Sequence, residues 1–152
     1  MCVILIKPPK VIIPAEKIVA ATRVNPDGWG FSALERKGNS SVLTTHTYAD
    51  GRNKAKEVID CLEKYHDNLV FMHLRFNTRG KTSVDNCHPF HISYNKESNV
   101  QYMFMHNGTI AQATLSKFTE EPTTEKSDSR VWAEEVMRPL FDRTLQFGID
   151  PI

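Results

Sequence analysis

The apolar residues of this chain come in short runs, and a dense polar segment follows most of them at once. Residues 2–6 read CVILI, residues 69–74 LVFMHL and residues 100–105 VQYMFM. Runs of five or six suit buried strands, and they fall far short of the roughly 18 residues that span a bilayer. The polar segments are 73–80 (HLRFNTRG), 86–91 (NCHPFH) and 106–110 (HNGTI), with a further one at 126–129 (KSDS). Loops at strand ends are where rigid scaffolds present functional groups.

The rest of the chain fills in around these runs. Lys7 to Pro14 holds three prolines and is irregular, and Asn25-Pro26-Asp27-Gly28 is a turn. Trp29 to Glu35 and Val42 to Tyr48 form a hairpin about Gly38-Asn39. Ala55, Val58, Ile59, Leu62 and Tyr65 make an apolar stripe that predicts a helix over 52–66, capped by Asp50. Arg75 to His91 reads as loop, and a short helix is expected over 110–118. A longer helix is expected over 129–147, capped by Ser127 or Asp128 and bent or interrupted by Pro139. The order β, ββ, α, β, β, α, α suits an α+β domain with largely antiparallel strands.

Composition excludes several classes. The chain has 152 residues, 40% hydrophobic and 24% charged, the profile of one globular domain. Nineteen Lys and Arg against eighteen Asp and Glu leave no basic field for nucleic acid. No signal peptide or membrane segment is evident. Cys2, Cys61 and Cys87 form no CxxC pair, which points to a reduced, cytoplasmic protein. His73, His88, His91, His106 and Cys87 match no structural zinc spacing, so neither metal nor cofactor is expected. His88 is instead expected to make a structural hydrogen bond in a loop set by Pro89-Phe90.

Each polar segment carries a chemical reading beside a plainer one. Removal of Met1 exposes an α-amine on Cys2, and such amines titrate at about 7.7–8.0. One residue then holds both nucleophile and base; otherwise Cys2 is a small apolar strand residue. Arg75 offers a bidentate fork to a carboxylate, with Thr78 and the backbone at Arg79-Gly80 as further donors, or it makes a surface ion pair. Asn107 and the Gly108 N–H suit an oxyanion hole, or form an ordinary turn. Asp128 suits a substrate ammonium, or caps a helix.

Together these segments resemble the class II glutamine amidotransferase domain, of the N-terminal-nucleophile hydrolase superfamily. The resemblance rests on Met1-Cys2, Asp27 to Gly30 (DGWG), His73 to Gly80, Asn86 to Phe90, His106 to Ile110 and Ser127 to Ser129, in that order. It implies a four-layer αββα sandwich. It also implies Cys2 as nucleophile, Asn107 and Gly108 as oxyanion hole, Arg75, Thr78 and Arg79 at the glutamine carboxylate, and Asp128 with Gly108 at its amine. The partners implied are glutamine and a synthase domain or subunit that accepts ammonia.

Two departures stand out. Arg130 occupies a position where the family often has an acid, and Phe76 one where tryptophan is common. Only 24 residues follow Asp128, whereas the family's domains run on much further. Residues 1–152 are therefore expected to be the N-terminal part of a larger domain, incomplete at the C-terminus. Exposed sheet edges and apolar faces are expected to make the chain less stable than its size suggests, or to pair it with a second chain as an oligomer. Other readings are an N-terminal-nucleophile hydrolase acting on another γ-glutamyl or acyl amide, a binding protein that keeps the fold, and a zinc module.

Overall fold

A computed structural model describes residues 2–37, 40–48, 54–120 and 123–152. The expected turn at Gly38-Asn39, the cap at Asp50 and the helix start at Arg52 lie outside the described residues, as does Met1. Among the described residues, six strands form two antiparallel sheets. The larger has the order β1 (Val3–Lys7), β4 (Leu69–Leu74), β2 (Trp29–Lys37), β3 (Ser40–Tyr48); the smaller pairs β5 (Phe90–Asn95) with β6 (Val100–Phe104). The fold is thus a mixed one of helices and antiparallel strands, consistent with the expected α+β class.

Alternation along the strands decides what each face of the larger sheet meets. Trp29, Phe31 and Ala33 of β2 and Val70, Met72 and Leu74 of β4 are all buried. They pack with Ile18 of α1 (Ala15–Val24) and with Val58, Cys61 and Leu62 of α2 (Lys54–Lys64). Spacings of three and four residues place the α2 side chains on one face. Burying such side chains contributes about 1.5–3 kcal/mol each. Two buried lysines satisfy carbonyls at the edges of this layer. Lys7 Nζ donates to the carbonyls of Pro8, His66 and Asn68 at 3.2, 2.9 and 3.1 Å. Lys54 Nζ donates to the carbonyls of Gly28, at 2.9 Å, and Asn25.

Helix α1 opens after Pro14 and ends at Asn25, whose Nδ2 donates to the Ala21 carbonyl at 2.8 Å. The opposite face of the larger sheet carries Ile4, Ile6, Leu34 and Phe71, which line a cleft of about 750 Å³ against Tyr94, Val100 and Met103 of the smaller sheet. The smaller sheet buries Phe90, Ile92 and Tyr102 against Ala133 and Phe141 of the C-terminal helical segment.

That segment runs as α4 (Asp128–Val131), a π-helical stretch (Trp132–Met137) and α5 (Arg138–Gln146) without a break. Pro139 lies at the second residue of α5, directly after the π-helical stretch. The irregularity lies before it, in the wider π turn. The expected helix over 110–118 is confined to α3 (Gln112–Leu115). The expected loop to His91 ends earlier, because Phe90 and His91 already pair with Phe104 and Met103. Among the described residues, no helix is long and apolar enough to cross a membrane.

Candidate active site

The end of β4 anchors the first wall. Arg75 N donates to the Gly28 carbonyl at 2.8 Å, and Asp27 N to the Arg75 carbonyl at 3.0 Å. Asp27 Oδ2 then accepts from Asn77 N at 2.7 Å. The Arg75 side chain is buried, and its guanidinium donates to Asn77 Oδ1 at 2.8 Å and to the carbonyls of Arg79 and Lys81 at 3.1 and 3.3 Å. It is therefore no surface ion pair: residues 76–81 wrap around it.

This loop is fastened to residues 123–127. Gly80 N donates to the Thr123 carbonyl and Lys81 N to the Glu125 carbonyl, at 3.1 and 3.0 Å. Gly80 has φ of +74°, and a Cβ there would lie 2.5 Å from Ser127 N, so only glycine fits. Buried Asn86 completes the tie. Its Nδ2 donates to the carbonyls of Lys81 and Glu125, and its Oδ1 accepts from Ser127 N at 2.8 Å.

The second wall joins the start of α4 to the turn after β6. Ser127, not Asp128, caps the helix: its Oγ accepts from Arg130 N at 3.1 Å. Asp128 is left to hold the turn. It is 3% exposed, and its Oδ2 accepts from Ile110 N at 2.6 Å while Oδ1 accepts from Ser129 N at 2.9 Å. A second bridge joins His106 Nδ1 and Ser129 Oγ at 2.9 Å. Arg130 is engaged elsewhere, with Nε donating to Glu134 Oε1 at 2.8 Å and a guanidinium nitrogen 3.8 Å from the Asp85 carboxylate.

Cys2 meets the first wall at Phe76. The Phe76 N–H donates to Cys2 Sγ at 3.3 Å, and the thiol lies 3.4 Å from the Phe76 carbonyl. A pocket of about 20 Å³, room for about one water, is lined by Cys2, Arg75, Thr78, Arg79, Gly108 and Asp128. Asn107 is exposed on the same turn and is not among the lining residues. Among the described residues, no three His, Cys, Asp or Glu side chains are grouped so as to hold a metal ion.

Three histidines back the pocket. His73 pairs its Nε2 with the His106 carbonyl at 3.2 Å, and its ring centroid lies 4.1 Å from that of His88. Burial pushes His73 down to about 4, and it holds His88 well below the ordinary histidine range. Both are neutral at pH 7. The expected structural hydrogen bond of His88 is not made: neither ring nitrogen has a partner among the described residues. The ring is packed instead between His73 and Phe90, and an unsatisfied buried group of this kind typically costs about 1–3 kcal/mol.

Asn86, His88 and Ser129 thus join the site although the sequence reading gave them no role in it. The first two lie in the NCHPF segment, and Ser129 follows Asp128 directly. Their composition was the available signal; their partners, from segments 15 to 41 residues away, were not.

The profile of the class II glutamine amidotransferases matches residues 16–141. The chain belongs to this family. The match spans Arg75, Asn107, Gly108 and Asp128 and begins after Cys2. No curated protein and no solved structure matches the chain significantly. Membership points to an enzyme that takes ammonia from the amide of glutamine for transfer.

Proposed function

We propose that the chain hydrolyses the glutamine side-chain amide through a thioester on Cys2, within a four-layer αββα arrangement, and passes the ammonia to a synthase domain or subunit. The observation that carries this reading is the single small pocket shared by Cys2, Arg75, Gly108 and Asp128. Glutamine is a zwitterion with an amide at its far end. It needs a cation for its carboxylate, an anion for its amine, a nucleophile and a clamp for the oxyanion. The packing of α1 and α2, the larger sheet, the smaller sheet and the C-terminal helices supports the layered architecture.

With Met1 removed, the α-amine of Cys2 takes the thiol proton and Sγ attacks the amide carbon. The oxyanion meets the Gly108 N–H and the Asn107 amide. The α-ammonium protonates the leaving nitrogen, ammonia departs, and water attacks the thioester to release glutamate. Arg75 and Thr78, with Arg79, hold the substrate carboxylate and Asp128 its amine. Glutamine is far larger than one water, so residues 76–81 must swing out to admit it. We further propose that the open cleft between the sheets leads the chain to pair with a second chain.

Ammonia release tests the assignment. Wild type freed of Met1 is expected to release ammonia from L-glutamine. Asp128→Asn is expected to lower kcat/KM by about 10–100-fold, the loss of one hydrogen bond to a charged group. No ammonia from the processed wild type, or an unchanged kcat/KM in the variant, contradicts the respective roles.

A further inference from the structure

Asn86 is fully buried, and its side-chain amide is in use at both ends. Nδ2 donates to the carbonyls of Lys81 and Glu125, at 2.9 and 2.8 Å, and Oδ1 accepts from Ser127 N at 2.8 Å. A primary amide has two N–H donors and one carbonyl, so no donor is left over. The partners lead to the two charged residues of the pocket. The Lys81 carbonyl also accepts from the Arg75 guanidinium at 3.3 Å. Ser127 directly precedes Asp128, and its Oγ and carbonyl open α4 by accepting from Arg130 N and Val131 N. One carbonyl, one amide and one backbone N–H therefore link the buried guanidinium to the residue before the buried carboxylate. Arg75 and Asp128 both line the pocket, and Asn86 does not. Arg75 follows β4 and Asp128 opens α4, so no shared element sets their separation.

Glutamine carries its carboxylate and its ammonium on one carbon. A site that grips both at once needs its cation and its anion at one spacing, and a misplacement of about 1 Å can cost about 100-fold. We infer that Asn86 is a positioning residue: its amide fixes the spacing of Arg75 and Asp128, and so makes the site selective for an amide that bears a carboxylate and an ammonium on the same carbon. The inference rests on the glutamine reading above and deepens it. Lys81 closes the loop that admits glutamine, so the same tie restores the spacing each time the loop shuts. Asn86 touches no reacting atom. Among the described residues, none of its side-chain hydrogen bonds goes to Cys2, Asn107 or Gly108. Its loss therefore weakens capture of the head group and leaves the reactivity of the thiol in place.

The test follows two electrophiles on the full chain freed of Met1. 6-Diazo-5-oxo-norleucine carries the glutamine head group, whereas iodoacetamide carries an amide and no head group. The adduct on Cys2 is followed by mass for both. Asn86→Ala removes all three hydrogen bonds; Asn86→Asp keeps the shape and the acceptor for Ser127 N and loses both donors. Both variants are expected to melt lower, so the ratio of the two alkylation rates, not stability, decides. In each variant the diazo-reagent rate should fall about 10–100-fold while the iodoacetamide rate stays within about 2-fold. KM for glutamine should rise by a similar factor with kcat within about 3-fold, the pattern of lost ground-state binding. Should Asn86→Ala fail to fold, Asn86→Asp decides alone. An unchanged diazo-reagent rate overturns the inference and leaves the glutamine reading standing. A parallel fall of both rates also overturns it, because that pattern marks a general loss of structure. A wild type that neither hydrolyses glutamine nor is alkylated by the diazo reagent overturns both.

Discussion

Gly30→Ala is expected to lower stability by about 3 kcal/mol, the upper end of the cost of overpacking. The added methyl would sit 2.1 Å from the His88 carbonyl, 2.9 Å from the His46 carbonyl and 3.0 Å from Thr47 Cγ2. Two of the three neighbours are backbone, so no side chain can turn aside. Gly30 pairs with His73 on β4, and the His73 ring lies against that of His88, centroids 4.1 Å apart. The substitution therefore strikes where the larger sheet meets the wall of the pocket. A urea titration checks it: the midpoint should fall with the slope unchanged. A midpoint within the error of wild type would mean that the His88 carbonyl lies farther from Gly30 than described. This gives the DGWG segment a physical reason. Trp29 fills the core, stacked on Tyr48 at 4.3 Å, and Gly30 lets the His88 segment ahead of β5 approach β2.

Acid should destabilise the protein through His73. Its folded value is pushed down to about 4 from an ordinary 6.5, chiefly by burial. The unfolded chain then binds the proton more readily than the folded one. Above pH 6.5 both states are neutral and nothing is lost. As pH falls from 6.5 toward 4, the unfolded state gains protons that the folded state refuses, so stability declines. The shift corresponds to about 3 kcal/mol by pH 4. His88 acts in the same direction. Urea midpoints at pH 7.5, 5.5 and 4.5 measure the decline, and His73→Gln, which cannot titrate, should flatten it. A variant that tracks wild type across this window would show that other groups carry the acid response.

Strands β1 and β4 were legible as short apolar runs, and β2 and β3 as the two arms of a hairpin. Helix α2 was legible because Val58, Leu62 and Tyr65 recur at helical spacing. Helix α1 was not. Only Ile18 and Thr22 are buried on it, and the exposed Val19 and Val24 blur the stripe. Strand β5 was hidden by a register shift between His91 and Ser93. It buries Ile92 and Ser93 in succession, Ser93 because it donates to Asp142, so the alternation fails.

In the site, residue type pointed to Arg75, Gly108 and Asp128, and the fold gathers them around Cys2. What residue type does not reveal is allocation. Ser127 takes the cap and leaves Asp128 to hold the turn at Ile110, Glu134 and Asp85 engage Arg130, and the His88 nitrogens are buried without a partner among the described residues. The contacts of Asp128 with Ile110, of Arg130 with Asp85 and of His88 with His73 depend on partners distant in sequence. The family match supports the enzyme class and begins after Cys2, so the nucleophile is the claim that most needs its own measurement.

Intact mass of the purified protein, before and after incubation with 6-diazo-5-oxo-norleucine, tests that claim most directly. The expected result is loss of Met1 and one covalent adduct in wild type, with no adduct in Cys2→Ala. Retained Met1 with no adduct, or an adduct that persists in Cys2→Ala, would contradict a glutamine-directed nucleophile at Cys2.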